Sequence, residues 1–299
     1  MVEVIDDRVC VLGEAPWYDS RSGRIGWVDF PAGTVLWRDL ATGDTGALAI
    51  AEPVSAAVPR LGGGLVLCLA DGPVLLSPDG TRAVADGFAK ADAAAGLPPA
   101  PSPIRANDAK ADPRGRLFVG TLALDATANA GGLYRLDPDS AQLRRVLGGV
   151  GVANGLGWSP DGATFYFVDT GVARVDAFDY DLATGELSRR RTFVDFAVPV
   201  DGAALGGKPD GLCVDAAGGV WVACWGGGQV LRFAADGALE RRVALPAAYV
   251  TSCAFAGEAL DLLVVTTASR DAPGAPGAGQ TFGYRPGDVT GQPVGRFAG

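Results

Sequence analysis

Short apolar runs rich in Val, Leu, Phe and Trp alternate along this chain with turns built from Gly, Asp and Pro. The stretch KPDGLCVDAAGGVWVACWGGGQVLRF, from Lys208 to Phe233, shows the unit clearly. It predicts strands over Gly211–Val214, Val220–Cys224 and Gln229–Phe233, with a tight turn at Asp215–Gly219 and a glycine turn after the second strand. Such β-branched and aromatic runs between Gly and Asp are the signature of a small antiparallel meander. Asp210 stands just before the first strand, at a polar position that faces inward.

The same unit recurs in altered words, beginning at GEAPWYD, PVSAAVP, ANDAKAD, ANGLGWS, KPDGLCV and TSCAFAG. The second strands start near Arg24, Gly64, Arg116, Ala163, Gly219 and Asp261, a mean spacing of about 47 residues, the period of four-stranded propeller blades. The predicted fold is therefore all-β, a six-bladed β-propeller of four-stranded antiparallel blades, with residues 1–299 as a single domain. Val2–Ile5 is the strand expected to close the ring. Two long connections interrupt the pattern. Asp86–Ile104 is rich in Ala and Pro and predicts one helical turn around Lys90–Ala95, and Val198–Lys208 precedes the fifth unit. Trp27, Trp37, Trp158 and Trp221 fall on strand patterns and read as packing between blades. Trp225, at a strand exit, reads as core or pocket lining.

Aligning the units on the turn residue that ends each first strand (Asp19, Pro59, Asp112, Ser159, Asp215, Gly257) places Glu14, Val54, Asn107, Asn154, Asp210 and Ser252 five positions upstream. First strands line a propeller's channel, so these side chains are expected to form one ring at one mouth. An Asn or Asp before Gly is ordinarily turn chemistry, and Glu14 alone would read as a solvent-facing acid. Their coincidence at one repeat position favours a shared site. Buried like charges repel and lose hydration unless a cation compensates them. Glu14, Asn154 and Asp210 are thus candidate ligands for one divalent metal cation, with Asn107 a fourth, weaker ligand or a contact to water and substrate. Oxygen ligands favour a hard ion, Ca²⁺ first, with Mg²⁺, Mn²⁺, Zn²⁺ and Fe²⁺ also compatible.

Composition narrows the chemistry. The 299 residues include no histidine, which removes His-based triads and His-ligated metals. A net charge of −9 argues against nucleic-acid binding. The five cysteines are odd in number and sit mostly in apolar runs, which suits buried small hydrophobes better than a disulfide framework. The charged start MVEVIDDR lacks the apolar core of a signal peptide, and no apolar run reaches membrane-spanning length. The expectation is a cytoplasmic protein off the membrane, as a monomer or weak homo-oligomer.

The motifs GEAPWYD (Gly13–Asp19), RAND (Arg105–Asp108), NGLGWSPDG with FVDT following (Asn154–Thr170) and PDGLCVDAAGGVWVACW (Pro209–Trp225) resemble the senescence-marker-protein/regucalcin/gluconolactonase family, in order and with matching spacing from Leu12 to Thr267. The resemblance implies a six-bladed propeller that hydrolyses sugar lactones with one divalent metal. Carried over by position, it implies metal ligands at Glu14, Asn154 and Asp210, substrate contacts at Arg105 and Asn107, and a rim acid near Asp125. The chain departs from the family pattern at Tyr18, with Trp17 beside it, at Ala109 and at Asp125, none of them in the metal set.

The expected reaction is metal-dependent opening of a sugar (aldono-) lactone to the aldonic acid. Asp210 is the candidate general base, with water activation by the cation itself as the competing account. Arg105 can donate to sugar hydroxyls or to the developing oxyanion, or can pair with an acid such as Asp108. Lys208 could steer an anionic product. Alternative readings are a propeller hydrolase for other lactones or phosphotriesters, a non-catalytic binding scaffold, or a metal buffer.

Overall fold

The structure, a computed structural model, describes residues 1–140, 142–200 and 202–299. Among the described residues, six four-stranded antiparallel sheets stand around a common axis. The chain begins with β1 (Val2–Asp6) and then lays down sheet 1 as β2 (Gly13–Asp19), β3 (Arg24–Asp29), β4 (Thr34–Asp39) and β5 (Thr45–Ala49). Sheet 2 is β6 (Ala56–Pro59), β7 (Leu65–Cys68), β8 (Pro73–Leu76) and β9 (Arg82–Val84), followed by the helix α1 (Phe88–Ala94). Sheet 3 is β10 (Ile104–Ala111), β11 (Leu117–Ala123), β12 (Gly131–Leu136) and β13 (Leu143–Val150). Sheet 4 is β14 (Ala153–Trp158), β15 (Thr164–Asp169), β16 (Arg174–Asp181) and β17 (Glu186–Asp195). Sheet 5 is β18 (Lys208–Val214), β19 (Val220–Trp225), β20 (Gln229–Phe233) and β21 (Leu239–Ala244). Sheet 6 takes β22 (Val250–Ala256), β23 (Leu262–Thr267) and β24 (Thr281–Tyr284), and β1 completes it by pairing with β24.

Strand alternation explains the packing. Along β19, Val220, Val222 and Cys224 join the cluster shared with sheet 4, whereas Trp221 and Ala223 join the one shared with sheet 6. Side chains on a strand alternate faces, and here both faces are buried, so the run reads as continuously apolar. Trp27 and Trp221 are wholly buried between sheets, and Trp158 nearly so. Trp37 departs from the expected core role: it is half-buried, with the Arg24 guanidinium 3.9 Å above its ring. The five cysteines are all free and buried, and Cys213 and Cys253 stand 3.6 Å apart without a bond. No helix among the described residues is long and apolar enough to cross a membrane.

On the face where the innermost strands end, the segment Thr290–Gly299 works around the sheets. Ala216 N donates to Thr290 O, Gly291 N to Leu260 O, Phe297 N to Pro59 O and Ala298 N to Gly115 O. Phe297 is buried in the cluster between sheets 2 and 3. The opposite face, at the starts of those strands, holds the ring of polar residues.

Candidate metal centre

Asp210 lies inside β18, not ahead of it, and Asn154 lies inside β14. Neither is turn chemistry. Each sits where the innermost strand carries one residue more than its partner. Pairing jumps from Ala153↔Asp169 to Leu156↔Phe167, and from Pro209↔Cys224 to Leu212↔Val222. Similar irregularities fall at Glu14/Trp17 and at Ala106/Ala109. A bulge re-aims a side chain that regular pleating would send into the sheet interface. Sheets 3, 4 and 5 thus turn a polar bulge residue toward the axis, and in sheet 1 Glu14 stands just ahead of the bulge, paired with Val28.

The glycines that follow are explained by close approach. A Cβ on Gly155 would stand 2.5 Å from Leu212 N and 2.7 Å from Asp210 O. One on Gly211 would stand 2.1 Å from Ser252 Oγ and 2.7 Å from Ser252 Cα. Only glycine lets neighbouring innermost strands come this near. The second sheet has no bulge, so the aligned residue slips by one. Val54 belongs to the apolar cluster between sheets 1 and 2, and Ser55 takes the place at the cavity. Ser252, in the sixth sheet, packs against Gly211 and is not among the cavity-lining residues.

A cavity of about 10 Å³ is lined by Leu12, Glu14, Phe30, Ser55, Asn107, Asp108 and Asn154. That is roughly the room one water-sized species needs. Asp210 reaches this group through Asn154, whose Nδ2 donates to Asp210 Oδ1 and, at 3.2 Å, to Thr170 Oγ1. Thr170 spends its single hydroxyl proton on Pro209 O at 2.7 Å, so it can only accept from Asn154. This fixes the amide: its nitrogen faces Asp210 and Thr170, and its carbonyl Oδ1 receives no hydrogen bond from the described residues.

Asp108 is the residue the repeat alignment passed over as a site member. It occupies the second bulge position of β10, where sheets 4 and 5 have Gly155 and Gly211. One of its oxygens accepts from Ala109 N at 2.8 Å; the other, Oδ2, is buried and has no partner. The contrast with Asp215 is instructive. That carboxylate is equally buried but accepts from Ala217 N, Gly219 N, Trp221 Nε1 and Arg232 Nε. Asp215 is a satisfied structural acid, and Asp108 is left wanting a positive partner.

Electrostatics point the same way. Burial, then the charges of Asp210 and Asp108, push the Glu14 carboxyl well above the ordinary carboxylate range. Burial, then Asp108, does the same to Asp210, against the opposing pull of Asn154 and Arg270. Burial raises Asp108 as well, opposed by Lys110. Lys110 lies below the ring and donates from Nζ to Leu212 O, reaching from sheet 3 to sheet 5. Glu14 and Asp108 at the ion-sized cavity, with Asp210 joined to them through Asn154, are carboxyls that a divalent cation would relieve. As the side chains stand, no three acids among the described residues meet closely enough to hold a metal by themselves.

Arg105 and Asn107 lean on each other. Arg105 donates through one terminal nitrogen to Ala106 O at 2.7 Å and Asn107 Oδ1 at 3.1 Å, and its guanidinium lies 4.3 Å over the Phe30 ring. Asn107 Nδ2 is committed to Ala153 O at 2.8 Å. Arg105 makes no ion pair with Asp108 among the described residues. Asp125 follows the end of β11 at the same mouth, exposed, accepting from Thr127 N at 3.0 Å. The nearby Ser102 hydroxyl, then Thr127 through its hydroxyl and backbone N–H, hold its carboxyl down to about 2. Among the described residues it makes no hydrogen bond or ion pair with the ring residues.

Residues 12–269 match the family described as SMP-30/Gluconolactonase/LRE-like region. Regucalcin of Gallus gallus is 34% identical over 266 residues, covering 86% of this chain and 83% of that one. Pentonolactonase XacC of Haloferax volcanii is 43% identical over 178 residues, 60% of this chain; the match spans 58% of that protein's length. Among solved structures, a calcium-binding protein, regucalcin, from Agrobacterium tumefaciens superposes with a TM-score of 0.86 at 28% identity, covering 98% of this chain and 96% of that one.

Proposed function

Taking as premise that the chain belongs to the SMP-30/gluconolactonase/LRE-like family, we propose that it is a divalent-metal-dependent lactonase that opens sugar lactones to their aldonic acids. The observation that carries this reading is the pair of Glu14 and Asp108 carboxyls with the Asn154 amide at a cavity of ion size, to which Asp210 is joined through Asn154. Kinship with a pentonolactonase supports lactone hydrolysis, and kinship with a calcium-binding regucalcin supports the cation.

Glu14, Asn154 and Asp210 would hold the metal, with Asp108 a neighbouring counter-charge. When bound, such an ion polarises a carbonyl and lowers the pKa of water nearby. The remaining work falls to the chain. Asp210 Oδ1 is occupied by Asn154, so Oδ2 is the oxygen that can take a proton from the attacking water, as a general base within the site. Asn154 and Thr170 fix the orientation of that carboxylate. Arg105 has one terminal nitrogen tied to Ala106 and Asn107; the other has no acceptor among the described residues and can donate to the oxygen on which charge builds. Asn107 has both ends of its amide in use, so it positions Arg105 and braces sheet 3 against sheet 4. Phe30 and Leu12 exclude bulk water from the cavity wall.

The test is direct. The protein is stripped with chelator, single cations are added back, and acid release is followed across a panel of aldonolactones. Activity restored by a cation and lost in Asp210→Asn, roughly 10²-fold or more for a missing base, is the expected result. A panel that stays at the spontaneous rate with every cation refutes the reading.

A further inference from the structure

The chain carries a net charge of −9, and its arginines are mostly clasped by acids, as Arg116 is by Asp112, Arg190 by Asp176 and Arg232 by Asp215. The metal-side mouth is different. Arg105 and Lys208 make no ion pair there among the described residues. Lys208 opens β18 two residues before Asp210, is exposed, and pairs across the sheet with Trp225.

Arg270 completes the group from the sixth sheet. Its backbone N donates to Val11 O at 3.1 Å, and the preceding Ser269 Oγ donates to Cys10 O at 2.8 Å. Both contacts pin the loop to the segment that leads into Glu14. Its guanidinium lies 4.9 Å over Trp225, which in turn packs on Tyr249 at 4.8 Å. The exposed Asp271 takes only its Nε, at 3.0 Å. The two terminal nitrogens have no acceptor among the described residues. Stacking on an aromatic face fixes the plane of a guanidinium and leaves its edge to fork onto an oxyanion. Arg270 is also close enough for its charge to act on both Asp210 and Arg105.

We propose that this mouth selects lactones carrying a second, anionic group, a carboxylate or a phosphate ester, which Arg270 grips from its seat on Trp225 while Arg105 and Lys208 supply further positive charge. The inference rests on the lactonase reading and names its substrate class. A neutral sugar would leave the Arg270 fork unused. An acidic one gains a charge-assisted contact remote from the scissile ester.

The experiment compares kcat/KM of the metal-loaded protein for a neutral aldonolactone, the matching aldaro-monolactone and a phosphorylated aldonolactone. An acidic lactone is expected to exceed the neutral one by roughly tenfold at low ionic strength, from one charge-assisted contact. Which acidic substrate leads tells carboxylate from phosphate. Arg270→Ala should collapse that ratio toward one, Arg270→Lys should keep part of it, and 0.5 M salt should compress it in the wild type. A wild-type ratio near one, or a ratio unmoved in Arg270→Ala, overturns the proposal. Should no lactone be opened at all, calorimetric titration with aldarate and aldonate anions separates the two ideas. A preference for the dianion that Arg270→Ala removes upholds the anion subsite without the lactonase reading, and equal binding overturns the subsite too.

Discussion

Gly211→Ala puts a number on the claim that close strand approach builds the site. Gly211 has no positive φ, so alanine fits its backbone and should by itself stabilise by roughly 0.4–1 kcal/mol through the unfolded chain. The new methyl would, however, lie 2.1 Å from Ser252 Oγ, 2.5 Å from its Cβ and 2.7 Å from its Cα. The first can swing away; the last is backbone and can yield only if β18 and β22 separate. Overpacking of this kind costs about 1–3 kcal/mol, occasionally more, so the net expectation is a loss of roughly 1–2 kcal/mol. At about 2.1 cal/mol/K per residue of unfolding entropy, that is a Tm lower by about 2–3 °C. Because the displaced strand carries Asp210, cation affinity should fall further than Tm suggests. Scanning calorimetry and a cation titration on Gly211→Ala read both, and Gly211→Ala with Ser252→Gly should regain part of each. A single variant as stable as wild type, or more so, with unchanged cation affinity, would refute the close-approach reasoning.

Metal removal should reveal the carboxyl crowding through pH. Burial raises Glu14, Asp108 and Asp210, and the charge of neighbouring acids adds to this at Glu14 and Asp210. The metal-free folded chain therefore keeps protons that the unfolded chain gives up. Its stability from these groups is full below the ordinary carboxylate pKa of about 4 and is lost as pH rises through their raised values. In chelator, Tm should fall as pH climbs above the ordinary carboxylate range; a saturating cation should abolish that fall, and superimposable profiles would count against a shared ion site. Phe297→Ala, on the far face, should cost about 3–5 kcal/mol, near 5–8 °C in Tm, while kcat/KM holds; a Tm within 1 °C would show that the segment around it does not fasten the sheets.

The propeller was readable because its repeat is written twice, in apolar alternation and in turn chemistry. Second strands begin at Arg24, Leu65, Leu117, Thr164, Val220 and Leu262, within one residue of the positions that spacing marks out. Val2–Asp6 closes the ring as expected, and the helical turn near Lys90 is α1. Bulges were not legible, because an extra residue leaves no mark on a short apolar run. That is why the repeat places Val54 where Ser55 stands, and why its apolar pattern starts the strand at Gly211, one residue after Asp210. Asp108 is masked in the sequence by its neighbour Asn107, because a bulge turns two successive residues inward where the repeat marks one. Lys110 and Arg270 lie outside the repeated position, so only contacts across the axis or between sheets expose them.

Lys110 has a mechanical consequence. Its side chain reaches from β10 of sheet 3 to the carbonyl of Leu212 in β18 of sheet 5, a layer beneath the carboxyls. Those two sheets are not neighbours; sheet 4 stands between them. The lysine is therefore a spoke across the hub, fastening parts of the ring that no strand pairing joins.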